Sequence, residues 1–118
     1  MTLREKIRKS CPPLVRHILM DYEAWLVGSS VLDPEGENDW DVIVHPVNWR
    51  ACSRVLLSCN PTVNSLGGLK IQVDGKSIDV WPSDINSFLS TLPFTELHRV
   101  HLFSLRRGFL VLSGDVVR

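Results

Sequence analysis

Apolar positions along the chain switch between two periods, and each switch marks an element. In LREKIRKSCPPLVRHILM, residues 3 to 20, Leu3, Ile7, Leu14, Ile18 and Leu19 recur at roughly helical spacing. Pro12 and Pro13 cannot sit inside a regular helix, so this stretch predicts two short helices. AWLVG (24–28) is a compact apolar run closed by glycine, a buried strand, and DWDVIV (39–44) is a second strand closed by His45-Pro46. Helical spacing returns over VNWRACSRVLLSC (47–59) and stops at Asn60-Pro61. LKIQVDGKSIDVW (69–81) alternates on both sides of Asp74-Gly75, the strongest short-range signal for a β-hairpin. SDINSFLS (83–90) predicts a short helix with Ser83 as its N-cap. LHRVHLFSL and FLVLSG flank Arg106-Arg107-Gly108 as a last hairpin. The order α-β-β-α-β-β-α-β-β predicts a mixed α/β (α+β) fold in a single domain, residues 1–118.

Composition adds limits. With 44% hydrophobic and 22% charged residues, the 118-residue chain reads as an ordinary globular protein with one core. Thirteen basic residues balance thirteen acidic ones, which argues against tight nonspecific binding of duplex nucleic acid. No apolar run approaches the roughly 20 residues that span a bilayer, and no signal-peptide core follows the basic N-terminus. Cys11, Cys52 and Cys59 form no C-x-x-C pair, and Cys52 and Cys59, seven apart, share a helix face as core residues. The four His show no ligand spacing with a partner acid or Cys. A cytoplasmic, reduced protein is the expectation.

The candidate chemistry lies in acids that interrupt apolar strands. Asp39 and Asp41 project to one side of their strand, with Trp40 on the other. Their Cα atoms lie roughly 6.5 Å apart, close enough for both carboxylates to converge on one site. In KSIDVWP, Ile78 and Val80 share one face while Asp79 points to the other with Ser77 and Trp81. Three neighbouring carboxylates repel unless cations neutralise them, and hard divalent ions bind through carboxylates plus substrate phosphates. Gly28-Ser29-Ser30, after the first strand, provides a tight turn with hydroxyl and backbone N–H donors for phosphate oxygens. DPEGENDWD is not an EF-hand, because Gly36 precedes Asp39 and no Glu follows at the required distance.

Gly28-Ser29, a short gap, Asp39-x-Asp41 heading an apolar strand, and a later Asp79 in an apolar strand together resemble the polymerase β-like nucleotidyltransferase superfamily. The resemblance runs from about residue 23 to 81, and DGKSIDVWP looks like the third-acid strand of poly(A)-polymerase and tRNA-terminal-transferase heads. It implies a short mixed β-sheet flanked by helices and transfer of NMP from an NTP to a hydroxyl, with release of pyrophosphate. Gly28, Ser29 and the adjacent Ser30 match the phosphate-binding step; Asp39 and Asp41 match the metal ligands. Asp79 matches the third acid, which ligates Mg²⁺ (or Mn²⁺) and helps deprotonate the nucleophile. Two departures stand out. Leu32-Asp33 occupies the place of the Arg-Asp pair found in many tailing enzymes, and the chain ends at Arg118 with no helical acceptor-binding domain beyond the head. The expectation is therefore that a partner protein or homo-oligomer completes the site, as in antitoxin-type minimal members that modify a partner toxin.

Trp81 beside Asp79 is the indole placed to stack on a base, whereas Trp25, Trp40 and Trp49 read as core. Lys70 and Lys76, and Arg99, Arg106 and Arg107 on the last hairpin, read first as solvated cations, with phosphate or RNA contact as the alternative. Two rival functions share these features: a non-catalytic nucleotide-sensing or protein-binding module, and an RNA-end binder using the basic hairpin. Base preference, acceptor and the number of nucleotides added leave no signature.

Overall fold

Burial on alternating strand positions organises the chain. A computed structural model describes residues 2–36, 38–90 and 99–113, without the side chains of 99–101 and 109–113. The helices are α1 (Leu3–Ser10), α2 (Pro13–Asp21), α3 (Pro46–Leu57) and α4 (Ile85–Ser90). The strands are β1 (Ala24–Val27), β2 (Asp39–Val44), β3 (Thr62–Val63), β4 (Leu69–Val73), β5 (Lys76–Pro82), β6 (Arg99–Ser104) and β7 (Gly108–Ser113). They form one mixed sheet in the order β3-β4-β5-β2-β1-β6-β7. Among the described residues no helix is long and apolar enough to cross a membrane.

Only β2 and β5 run parallel; the other pairs are antiparallel. A parallel pair needs a crossover, and α3 with the β3-β4 strands supplies it. On one face Leu26, Trp40, Val42, Val44, Ile78 and Val80 pack under α1, α2 and α3 around Ile7, Val15, Leu19 and Leu56. On the other face Trp25, Val27, Ile43 and Leu102 meet Phe88 and Leu89 of α4. Helices thus cover both faces at the Val44 end of β2, while Asp39 at its opposite end is exposed.

Most local signals act as the sequence suggests. Pro12-Pro13 separates α1 from α2, and Asp74 and Gly75 both take positive φ (50° and 77°), as a primed hairpin turn requires. Trp25 and Trp40 are buried, Trp49 packs against the core, and Cys11 and Cys52 are buried free thiols. Burial pushes the Cys11 thiol up to about 12 and the Cys52 thiol up to about 11, so neither is a ready nucleophile.

Four details differ. α3 begins at Pro46, with His45 Nδ1 accepting the Val47 N–H at 3.1 Å as its cap. Pro is favoured at a first helical position, so His45-Pro46 starts the helix as well as ending the strand. The chain has an additional edge strand, β3, whose two residues Thr62-Val63 are too few for alternation to show in the sequence. His17 and Asp21 pair at 3.0 Å across one helical turn, so one of the four His does have a partner acid at helical spacing. Finally, Asp84 rather than Ser83 caps α4: its carboxylate accepts the Ser87 N–H at 2.6 Å, while the Ser83 hydroxyl donates to the Asp84 carbonyl at 2.9 Å. Cys59 lies just beyond α3, half-buried against the core, and His98 falls outside the described residues.

The Ser87 hydrogen bond holds the Asp84 carboxyl below its ordinary value of 3.8. A lowered folded-state pKa adds stability that is complete above the unfolded value and lost as pH falls through the folded one. Thermal unfolding of wild type should therefore lose more stability than Asp84→Ala between neutral pH and about pH 3. Parallel losses in the two proteins would refute the cap.

Candidate active site

The register of β2 on β5 sets Asp41 directly opposite Asp79. Both lie on the face away from Trp40 and Ile78, so their Cα atoms are roughly 4.8 Å apart and their carboxylates share one side of the sheet. Asp39, opposite Ser77, projects to the same side one pleat further along. On the other flank of β2, Val27 pairs with Asp41, and the chain leaves β1 immediately afterwards through Gly28. Gly28 has φ +82°, and a Cβ there would stand 2.9 Å from Asp41 Oδ2. Only glycine accepts both the left-handed backbone and that approach. The phosphate-step candidate and two of the three acids thus meet at one end of the sheet.

After Gly28 the chain makes a single 3-10 turn, Ser29–Val31, with Val31 N–H on the Gly28 carbonyl at 3.2 Å. Ser29 is exposed. The Ser30 side chain is buried, and its hydroxyl has no hydrogen-bond partner among the described residues. A buried orphan hydroxyl is unusual in a folded protein. Here it lies one residue from the exposed Ser29 in the same turn.

Asp79 has partners from β4 and from the loop that precedes it. Lys70, its cross-strand neighbour on β4, brings Nζ to 3.7 Å from Asp79 Oδ2. Asn64 Nδ2 donates to Asp79 Oδ1 at 3.2 Å and to the Leu69 carbonyl at 3.3 Å. Asn64 Oδ1 accepts the Leu66 and Gly68 N–H groups at 3.0 and 2.9 Å, so one side chain ties its own loop to the third acid. Gly68 permits this: a Cβ on it would run into the Val80 carbonyl, so the loop lies flat on β5. The Asn-Ser-Leu-Gly-Gly run marks a turn in sequence, but no spacing rule links it to an aspartate fifteen residues on.

The two hairpin lysines part company. Lys70 stays on the acid face, whereas Lys76 donates to the Ser10 carbonyl at 3.2 Å and sits 5.8 Å from the Trp40 ring centroid on the opposite face. Trp81 shares the acid face, half-buried, with its ring 6.3 Å from that of Phe88. Arg106 and Arg107 lie far from the acids: Arg106 donates to the Met20 carbonyl and Arg107 pairs with Glu23 at 3.1 Å. The Arg99 side chain is outside the described residues.

Among the described residues, no three His, Cys, Asp or Glu side chains are grouped closely enough to hold a metal by themselves. Mg²⁺ rarely uses an all-protein cage; one or two carboxylates plus substrate phosphates are its usual set. Asp39 and Asp41 on an open strand end, with a cradle at Gly28 that a Cβ would fill, fit that requirement. Compared with models of known protein families and with curated proteins, the chain matches none.

The contact between Gly28 and Asp41 is testable by a double-mutant cycle. Gly28→Ala should cost about 1–3 kcal/mol from backbone strain plus the collision. In an Asp41→Ala background the cost should fall, leaving mainly the strain. Equal costs in urea denaturation would mean that Gly28 does not support the carboxylate.

Proposed function

We propose that this domain is a metal-dependent nucleotidyltransferase that moves NMP from an NTP to a hydroxyl on a protein, an RNA end or a small molecule. The observation that carries the reading is Asp41 facing Asp79 across the parallel β2-β5 pair, with the Gly28 turn against Asp41. A mixed sheet with helices on both faces accords with it.

The acids and the glycine turn have separate tasks in this reading. Gly28 lets phosphate oxygens approach the backbone, and the exposed Ser29 hydroxyl donates to them. Asp39 and Asp41 hold Mg²⁺ or Mn²⁺, which when bound offsets triphosphate charge and polarises the phosphorus. Asn64 fixes Asp79 through Oδ1, which orients Oδ2 to take the acceptor proton. The acceptor oxygen bonds to the α-phosphorus, the α–β anhydride bond breaks, and pyrophosphate carries away that electron pair. Lys70, 3.7 Å from Oδ2 and 41% exposed, is free enough to swing toward a phosphate when substrate arrives. Trp81 lies along the same face within reach of a base. A partner chain or second copy would bring the acceptor.

One observation favours a second reading. Asp79 already has an internal cation, Lys70, and an acid neutralised by its own lysine suits a non-catalytic nucleotide-sensing module equally well.

Pyrophosphate release separates the two. Wild type with Mg²⁺, an NTP and a panel of hydroxyl acceptors should turn over, and Asp41→Ala should lose at least about 100-fold while keeping its fold by circular dichroism. Activity that persists in Asp41→Ala contradicts the transferase reading; Mg²⁺-dependent NTP binding without pyrophosphate from any acceptor favours the sensing module.

A further inference from the structure

The balanced net charge conceals a segregation. Residues 1–20 carry five Lys and Arg against one acid, Glu5. A cavity of about 520 Å³ opens there, lined by Glu5, Arg8 and Lys9 of α1, Arg16 and Met20 of α2, and Leu105 at the β6-β7 turn. Met20 is 56% exposed, so a large flexible apolar side chain stands in solvent beside Leu105. Neighbouring cations are fixed around it by backbone carbonyls. Arg16 donates to the Arg8 carbonyl at 2.7 Å, Arg4 to Leu105 at 3.2 Å, and Arg106 to Met20 at 3.3 Å. None of Arg4, Arg8, Lys9, Arg16 or Arg106 has a carboxylate partner among the described residues.

From this arrangement we infer that the α1-α2 cavity docks an acidic segment of a partner protein through an apolar anchor seated between Met20 and Leu105. Three features select this occupant. A guanidinium spends one or two of its five donors on a carbonyl and keeps the rest for a carboxylate. Because those guanidinium groups are already positioned, little rotamer entropy remains to be lost on binding. An exposed methionine beside leucine accepts an aliphatic anchor, as grooves for amphipathic helices do. Single-stranded nucleic acid is disfavoured because, among the described residues, no aromatic side chain lines the cavity to stack a base. α1 and α2 cover the sheet face that holds Trp40, whereas Asp39, Asp41 and Asp79 project from the other. Docking therefore leaves the acid face open, and the inference does not depend on the transferase reading.

The test is fluorescence anisotropy with a panel of glutamate-rich synthetic peptides carrying two leucines three or four residues apart. Matched peptides with serine for leucine and a single-stranded oligouridylate serve as competitors. The leucine peptides should bind wild type at least about tenfold more tightly than the serine peptides. Arg8→Glu/Arg16→Glu should lose that binding, and Met20→Asp should lose the leucine preference at unchanged helix content. Both variants should keep any affinity for Mg²⁺–NTP. No binding by any leucine peptide, equal binding of the serine peptides, or tighter binding of the oligouridylate would overturn the proposal.

Discussion

Everything at the candidate site depends on the burial of Trp40. The indole is fully buried, with Val42 and Val44 beside it on the same face of β2. Side chains alternate along a strand, so sinking this set into the core commits Asp39 and Asp41 to the opposite face. A slip of one residue would bury two carboxylates and expose the indole, costs far beyond anything the turn could offset. β5 carries the matching constraint in Ile78 and Val80, which turn Asp79 outward. Burying a residue the size of Trp stabilises by about 3–5 kcal/mol relative to Ala. That exceeds the repulsion between two partly solvated carboxylates, about 1 kcal/mol in water at 4 Å and more where solvent is excluded. Apolar packing thus forces like charges together, and electrostatics has to be managed afterwards.

The management is uneven. Asp79 is tied down by Lys70 and Asn64, and the loop containing Asn64 is held flat on β5 by the absence of a side chain at Gly68. Asp41 lies against Gly28, whose missing side chain leaves room for one carboxylate oxygen. Across the sheet, the lysines and arginines of α1 and α2 gather on the far face with no carboxylate paired to them among the described residues. A chain with no net charge is in this way a domain with an acidic strand end and a basic helical flank.

The fold was legible because its signals are local. Alternation fixed which residues of β2 and β5 face the core, Asp74-Gly75 fixed a hairpin, and Pro12-Pro13 fixed a helix break. The meeting of Gly28, Asp41 and Asp79 rests on the β1-β2-β5 pairing, a tertiary register with no local signal in the sequence. The partners of Asp79 were not legible. Asn64 reaches it from a loop across a strand crossing, and Lys70 was one of two similar lysines whose separation depends on the sheet's two faces. The α4 cap falls between two adjacent residues, Ser83 and Asp84, both good caps by type; α4 starts at Ile85, so Asp84 holds the cap position, and the Ser83 hydroxyl donates to the Asp84 carbonyl. The basic flank was hidden because its cations come from α1, α2 and the β6-β7 turn, at opposite ends of the chain.

The most direct measurement is paramagnetic broadening of backbone amide resonances by Mn²⁺ in the presence of a non-hydrolysable NTP analogue. A nucleotide–metal site built by Trp40 burial and β2-β5 pairing predicts broadening centred on Gly28 to Ser30, Asp39 to Asp41 and Ser77 to Asp79. It further predicts that the effect disappears when the analogue is omitted or Asp41 is replaced by Asn. Broadening centred elsewhere, such as the exposed His17–Asp21 pair, or unchanged in Asp41→Asn, would contradict the account.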